Sequence, residues 1–165
     1  MHKAKRLARD EFHSVSMTLP NTLRSMPESD GHGQTPRSLP LILARELAAN
    51  LATPMFLIDA EGMLVFFNEA AELMLGKQYS EMGRVTAADF GDMLEIEDLD
   101  GHPMRKRDSP PGIAFARREP SHSRMQAVTL DGEKRKLVWE ITAYPLFGRT
   151  GDMHGVLTVF WEAKS

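Results

Sequence analysis

Apolar and polar positions change period several times along this chain, and each change marks an element. Residues 55–58 are a compact apolar run of β-formers, Asp59-Ala60-Glu61-Gly62 supplies turn residues, and residues 63–67 are a second apolar run. Gly62 is free to take positive φ, so the two runs predict an antiparallel hairpin. Asn68 is placed to cap a helix after it, because its side-chain oxygen can accept an orphan N–H of the first turn. Glu69 and Glu72 then lie near the positive end of the helix dipole, and Gly76 is placed to end the helix in αL.

Upstream, Leu43, Leu47 and Leu51 recur at i, i+4 and i+8, with Ala44 and Ala48 beside them and Arg45, Glu46 and Asn50 facing elsewhere. With Ser38 as N-cap and Pro40 in the first turn, the pattern predicts a flanking amphipathic helix of about 12 residues within 38–52. A helix this short is marginal alone in water, so its stripe must pack on something. Its own sheet is one option; a dimer seam through Leu43, Leu47 and Leu51 is the other. Residues 1–37 contrast with this. A basic start (His2, Lys3, Lys5, Arg6, Arg9) leads into few apolar residues and many breakers, which predicts a disordered tail with at most a short helix over 3–13.

Downstream, residues 87–94 predict a short helix interrupted by Gly91, and residues 98–103 a loop. Ser109-Pro110-Pro111 starts a further helix that runs through Phe115 to about Arg118. Strands are expected over 124–130, 135–146 and 155–161, with an Asp131-Gly132 turn and a glycine-containing loop at 148–151 between them. In the longest strand Leu137, Trp139, Ile141 and Ala143 share one face, and Val138, Glu140, Thr142 and Tyr144 share the other. Such a strand suits an antiparallel sheet with one side on the core.

Two strands, several short helices and three strands, with these turn residues, resemble a PAS (Per-Arnt-Sim) sensory domain. Asp59, Gly62, Asn68, Ala70, Ala71 and Gly76 carry the likeness in the first half. In the second half it rests on the Asp-Gly hairpin, on Glu140-Ile-Thr-Ala-Tyr-Pro-Leu146 and on Gly155-Val-Leu-Thr-Val-Phe160. The segment from Asp100 to Pro120 resembles a variant common in bacterial PAS domains. The likeness runs from about Leu39 to Lys164 and implies a PAS domain over 53–164. The implied fold is α+β: a five-stranded antiparallel sheet in the order 2-1-5-4-3, short helices over one face, and the flanking helix before it. The implied function is a sensory or regulatory module in signal transduction that acts by protein–protein contact. With no effector in the chain, it would act through a separate signalling partner or through self-association as a homodimer. Family architecture further places Phe56, Ile58, Phe90, Met93, Ile113, Phe115, Met125, Trp139 and Ile141 between helices and sheet. There they would form either a dry packed core or a pocket for a small apolar ligand.

Composition narrows the chemistry. The chain has no cysteine, which excludes disulfides, thiol nucleophiles and a thiol-linked chromophore. No apolar run approaches the roughly 20 residues that span a bilayer, and no apolar core follows the basic start, so a cytoplasmic protein without membrane contact is expected. A net charge of −3 gives no electrostatic argument for nucleic acid, and Arg105-Lys106-Arg107 and Arg117-Arg118 lack interleaved aromatics. No motif places a nucleophile beside a base, so no catalytic residue is assigned and no enzyme is expected. Glu95, Glu97, Asp98 and Asp100 lack the spacing of a calcium loop and fit a solvated turn, so no metal site is expected. Haem-binding PAS domains use a histidine on the helix before the third strand; here that helix has none, and His122 lies just past it. Haem through His122 and non-covalent flavin stay open as cofactors.

Overall fold

The computed structural model describes residues 38–164; the expected tail at 1–37 lies outside them. Helix α1 (Leu39–Ala49) leads into strands β1 (Met55–Asp59) and β2 (Leu64–Phe67). Three short helices follow: α2 (Glu69–Leu75), α3 (Ala87–Met93) and α4 (Pro110–Arg117). Strands β3 (Ser121–Val128), β4 (Lys136–Phe147) and β5 (Met153–Glu162) complete one antiparallel sheet in the order β2-β1-β5-β4-β3. This is the α+β architecture expected from the pattern of runs and turns. No helix among the described residues is long and apolar enough to cross a membrane.

Alternation along the strands decides what each face meets. In β4, Trp139, Ile141 and Ala143 are buried while Val138 and Tyr144 are exposed. The inner face of the sheet joins Phe56, Ile58, Trp139 and Phe160 to Leu75 of α2 and Phe90 of α3 in one core. The Phe56 and Phe90 rings meet edge to face at 5.4 Å, and Trp139 stacks on Phe160 at 5.1 Å and 20°. Full burial of a side chain of this kind contributes about 1.5–3 kcal/mol, so these rings carry much of the fold's stability. Near α4, Ala114 closes over Ala143 and Val156 in a smaller cluster.

Helix α1 covers the outer face mainly over β1 and β5. Met55 and Leu57, which alternate with Phe56 and Ile58, are buried there, and the small side chains of Ala44 and Ala48 let the helix approach. Arg45, expected to face away, instead lies half-buried with its guanidinium 5.0 Å from the centre of the Phe66 ring. Ala44 and Ala48 therefore face the sheet with half-buried Leu41, while the other leucines of the helix do not. Ala48 is fully buried, whereas Leu43 and Leu47 are 60% and 58% exposed. Leu39, Ile42 and Leu51 are exposed beside them. Ser38 precedes the helix as expected but makes no side-chain cap hydrogen bond.

Two other details depart from expectation. Gly91 does not interrupt α3; the helix runs through it, and a side chain there would press on the Lys106 stem, 3.2 Å from an added Cβ. The β3–β4 connection is longer than an Asp-Gly turn. The Asp131 carboxylate accepts from Thr129 Oγ1 at 2.6 Å and from the Glu133 and Lys134 amides, and Lys134 rather than Gly132 takes positive φ. Those bonds, with the Thr129 hydroxyl first, hold the Asp131 carboxyl below its ordinary pKa.

Asn68 does more than cap. Its Oδ1 accepts from Ala71 N at 3.0 Å, which is the cap, and also from Met55 N at 3.0 Å. Its Nδ2 lies 2.9–3.1 Å from the carbonyls of Ala48, Leu51 and Thr53. The side chain is 1% exposed and ties the end of α1, the α1–β1 linker, the start of β1 and the start of α2 to one amide.

Candidate functional site

A cavity of about 410 Å³ lies between the inner face of the sheet and the helices. Small-molecule sites usually span about 300–1,000 Å³, so this one is of ligand size. Phe56 and Ile58 of β1, Met125 of β3, and Trp139 and Ile141 of β4 form the sheet wall. Phe90 and Leu94 face them from α3 and its end, and Phe115 from α4. Glu61, Ala88, Arg107 and Ala116 line the cavity and are exposed, so the opening lies where the β1–β2 turn, α3 and α4 meet.

Local sequence explains how the helical wall is held. The Ser109 hydroxyl donates to Lys106 O at 2.6 Å and caps α4 through Gly112 N. An added Cβ at Gly112 would fall 2.1 Å from Lys106 O, so glycine lets α4 rest directly on the 3₁₀ turn Lys106–Asp108. Thr86 caps α3, its Oγ1 accepting from Asp89 N and donating to Asp89 Oδ2 at 2.7 Å. Lys106 spans the helical side of the wall and pairs with Asp92 of α3.

Seven of the nine expected pocket residues meet around this cavity: Phe56, Ile58, Phe90, Phe115, Met125, Trp139 and Ile141. Ile113 and Met93 do not line it. Residues two apart on a helix point in different directions, so α4 can turn Phe115 inward with Pro111 and Gly112 but not Ile113 as well. On α3 the lining positions are 87, 88, 90 and 91, with Leu94 at its end, which leaves Met93 half-buried at the edge of the main core. Leu94, Ile96 and the Lys106–Pro111 stretch were not anticipated. The fourfold step from Phe90 to Leu94 is the signal that could have found one of them.

The residues present speak against haem held through His122. Among the described residues no histidine lines the cavity. His122 sits on the outer face of β3, exposed, with Nδ1 2.8 Å from Thr142 Oγ1, so haem bound through this residue does not fit. Neither Asn nor Gln lines the cavity; its polar side chains are Glu61, Thr86, Lys106, Arg107, Ser109 and the Trp139 indole.

Outside the cavity, Asp98, Asp100 and His102 bring three ligand atoms within 4.8 Å of one another. Asp98 Oδ1 already accepts from the Asp100 and His102 amides, which lowers its pKa, with the His102 amide the largest cause. The acidic turn is held by its own backbone. On the outer face Glu140 accepts from Arg124 Nε at 2.7 Å and from Trp161 Nε1 at 3.0 Å. The Arg124 bond is the main reason its carboxyl sits below the usual range.

Residues 43–86 match the family model described as the PAS fold. No curated protein matches the chain in sequence. Solved structures resemble it closely in shape and only distantly in sequence. The PAS domain of the fruit-fly ELK potassium channel aligns with a TM-score of 0.61 at 9% identity, covering 76% of this chain and 98% of that one. The Rhodobacter sphaeroides LOV protein gives 0.60 at 13% identity, over 77% of this chain and 69% of its own. The PAS domain of Bordetella pertussis BvgS gives 0.52 at 16% identity, over 76% and 86%. At such identities these likenesses speak for the fold alone. Strand order, helix placement and the match over residues 43–86 agree on the PAS fold.

Proposed function

We propose that this protein is a sensory or regulatory module in signal transduction, with a small, mainly apolar ligand in its cavity and self-association through α1 as its output. The observation that carries the proposal is the placement of the two features on one sheet. The cavity lies against the inner face, and α1 lies on the outer face of β1 with Leu39, Leu43 and Leu47 turned to solvent. A ligand that alters the spacing of β1, β5 and β4 changes the bed on which α1 rests. The names of two solved relatives, a potassium-channel PAS domain and a LOV protein, support a regulatory role of this kind.

A second copy of the chain is the proposed partner of α1. Leu39, Leu43 and Leu47 form a stripe at helical spacing, and a twofold interface sets such a stripe against itself. Exposed Tyr144 and Trp161 on the outer face would extend the contact. No nucleic acid or membrane contact belongs to this proposal.

Two measurements test it. Native mass spectrometry of protein purified from its own host should find a dimer with a small molecule retained. Light scattering should show that Leu43→Glu with Leu47→Glu yields a folded monomer. A wild type that stays monomeric at high concentration would remove self-association and leave a separate effector as the partner of α1.

A further inference from the structure

Among the described residues the cavity wall contains one buried side-chain polar group that the protein leaves without a partner. Trp139 is 1% exposed and lines the cavity, and its indole Nε1–H has no acceptor among the described residues. An indole nitrogen can only donate, and a buried donor left unpaired is destabilising. The ring is stacked on Phe160, so it is not free to swing toward an acceptor elsewhere. The second tryptophan provides the contrast, since Trp161 Nε1 donates to Glu140 on the outer face.

The other polar groups of the lining are accounted for. The Ser109 and Thr86 hydroxyls are both engaged in capping α4 and α3, and Lys106 is paired with Asp92. Glu61 and Arg107 are exposed to solvent at the opening. Ser38 and Thr158 also hold buried hydroxyls without partners, and neither lines the cavity. Among the buried side-chain groups of the wall the unpartnered capacity is therefore a single donor, on a ring that lines the cavity with Phe56, Ile58, Met125 and Ile141.

We infer that the cavity selects a mainly apolar ligand carrying a hydrogen-bond acceptor, a carbonyl oxygen or an aromatic ring nitrogen, that accepts from Trp139 Nε1–H. The inference rests on the cavity being a ligand site and adds the class of ligand. A pure hydrocarbon fills the same space but leaves the donor unpaired, so the site discriminates by chemistry as well as by shape.

The test uses the full chain, labelled with nitrogen-15, and matched pairs of graded size that differ only by a ketone, benzophenone and diphenylmethane among them. Two tryptophans give two indole signals, and Trp161→Phe identifies that of Trp139. The ketone should shift the Trp139 indole proton downfield and bind between about twofold and tenfold more tightly than its hydrocarbon. Trp139→Phe should erase that preference, read as the ratio of the two affinities within the variant. If this variant fails to fold, the indole shift and the affinity ratio in the wild type still decide. Equal affinities with an unmoved indole proton overturn the inference and leave the cavity a ligand site. Failure of every pair to bind overturns the ligand reading itself.

Discussion

Asn68→Ala is expected to lower stability by about 3 kcal/mol, well beyond the roughly 1 kcal/mol of a lost helix cap. The substitution removes the acceptor for two buried amides, Met55 N and Ala71 N, and the donor to the carbonyls of Ala48, Leu51 and Thr53. A buried polar group deprived of its partner costs about 1–3 kcal/mol, and at least two are created at once. For a domain of this size the loss corresponds to a fall in Tm of about 10 °C, measurable by thermal denaturation. Asn68→Ser restores a capping oxygen too short to serve the rest, so it should recover only the cap. A fall of less than 3 °C or so for the alanine variant would mean that the network contributes little beyond the cap.

Gly155→Ala should be still more damaging. At the β5 position paired with Asp59, Gly155 has φ +152°, and an added Cβ would stand 2.1 Å from Ile58 O and 3.1 Å from Leu41 Cδ2. The near neighbour is backbone of the adjacent strand, which cannot turn aside as a flexible side chain can. Either β1 and β5 separate, breaking their ladder, or the backbone is strained, and α1 loses its seat in both cases. A loss of at least about 3 kcal/mol, read in urea as a large drop in midpoint, is expected. Gly132→Ala is the control: nothing lies within 4 Å of its added Cβ, so it should be neutral or stabilise by about 0.4–1 kcal/mol. A Gly155→Ala protein as stable as wild type would contradict the close approach of β5 to β1.

How far the sequence could be read depended on the range of the interaction. The β1–β2 turn, the αL end of α2 at Gly76 and the alternation of β4 are set within a few residues, and all could be seen in the chain. Asn68 was legible as a cap because Ala71 is three residues away. Its bond to Ala48, twenty residues distant, leaves no local trace. The cavity divides in the same way. Alternation in β4 set Trp139 and Ile141 on one face, and family architecture placed Phe56 and Ile58 with them, whereas Met93 and Ile113 were misplaced because the rotation of a short helix is fixed only by what it packs against. The leucine stripe of α1 was visible, but the turning of the helix onto its alanines follows from the side chains of β1 beneath.

The sheet is a single chain thick, and β4 alternates cavity wall with outer surface: Trp139 and Ile141 face inward, Val138, Glu140 and Thr142 outward. On the proposed function, where the ligand inside and the partner outside both prefer one strand spacing, each alters the affinity of the other by the same factor, because binding free energies at two linked sites are reciprocal. The amount of ligand held by this protein in a cell would then report which partners are present, so the domain can be interrogated from either side.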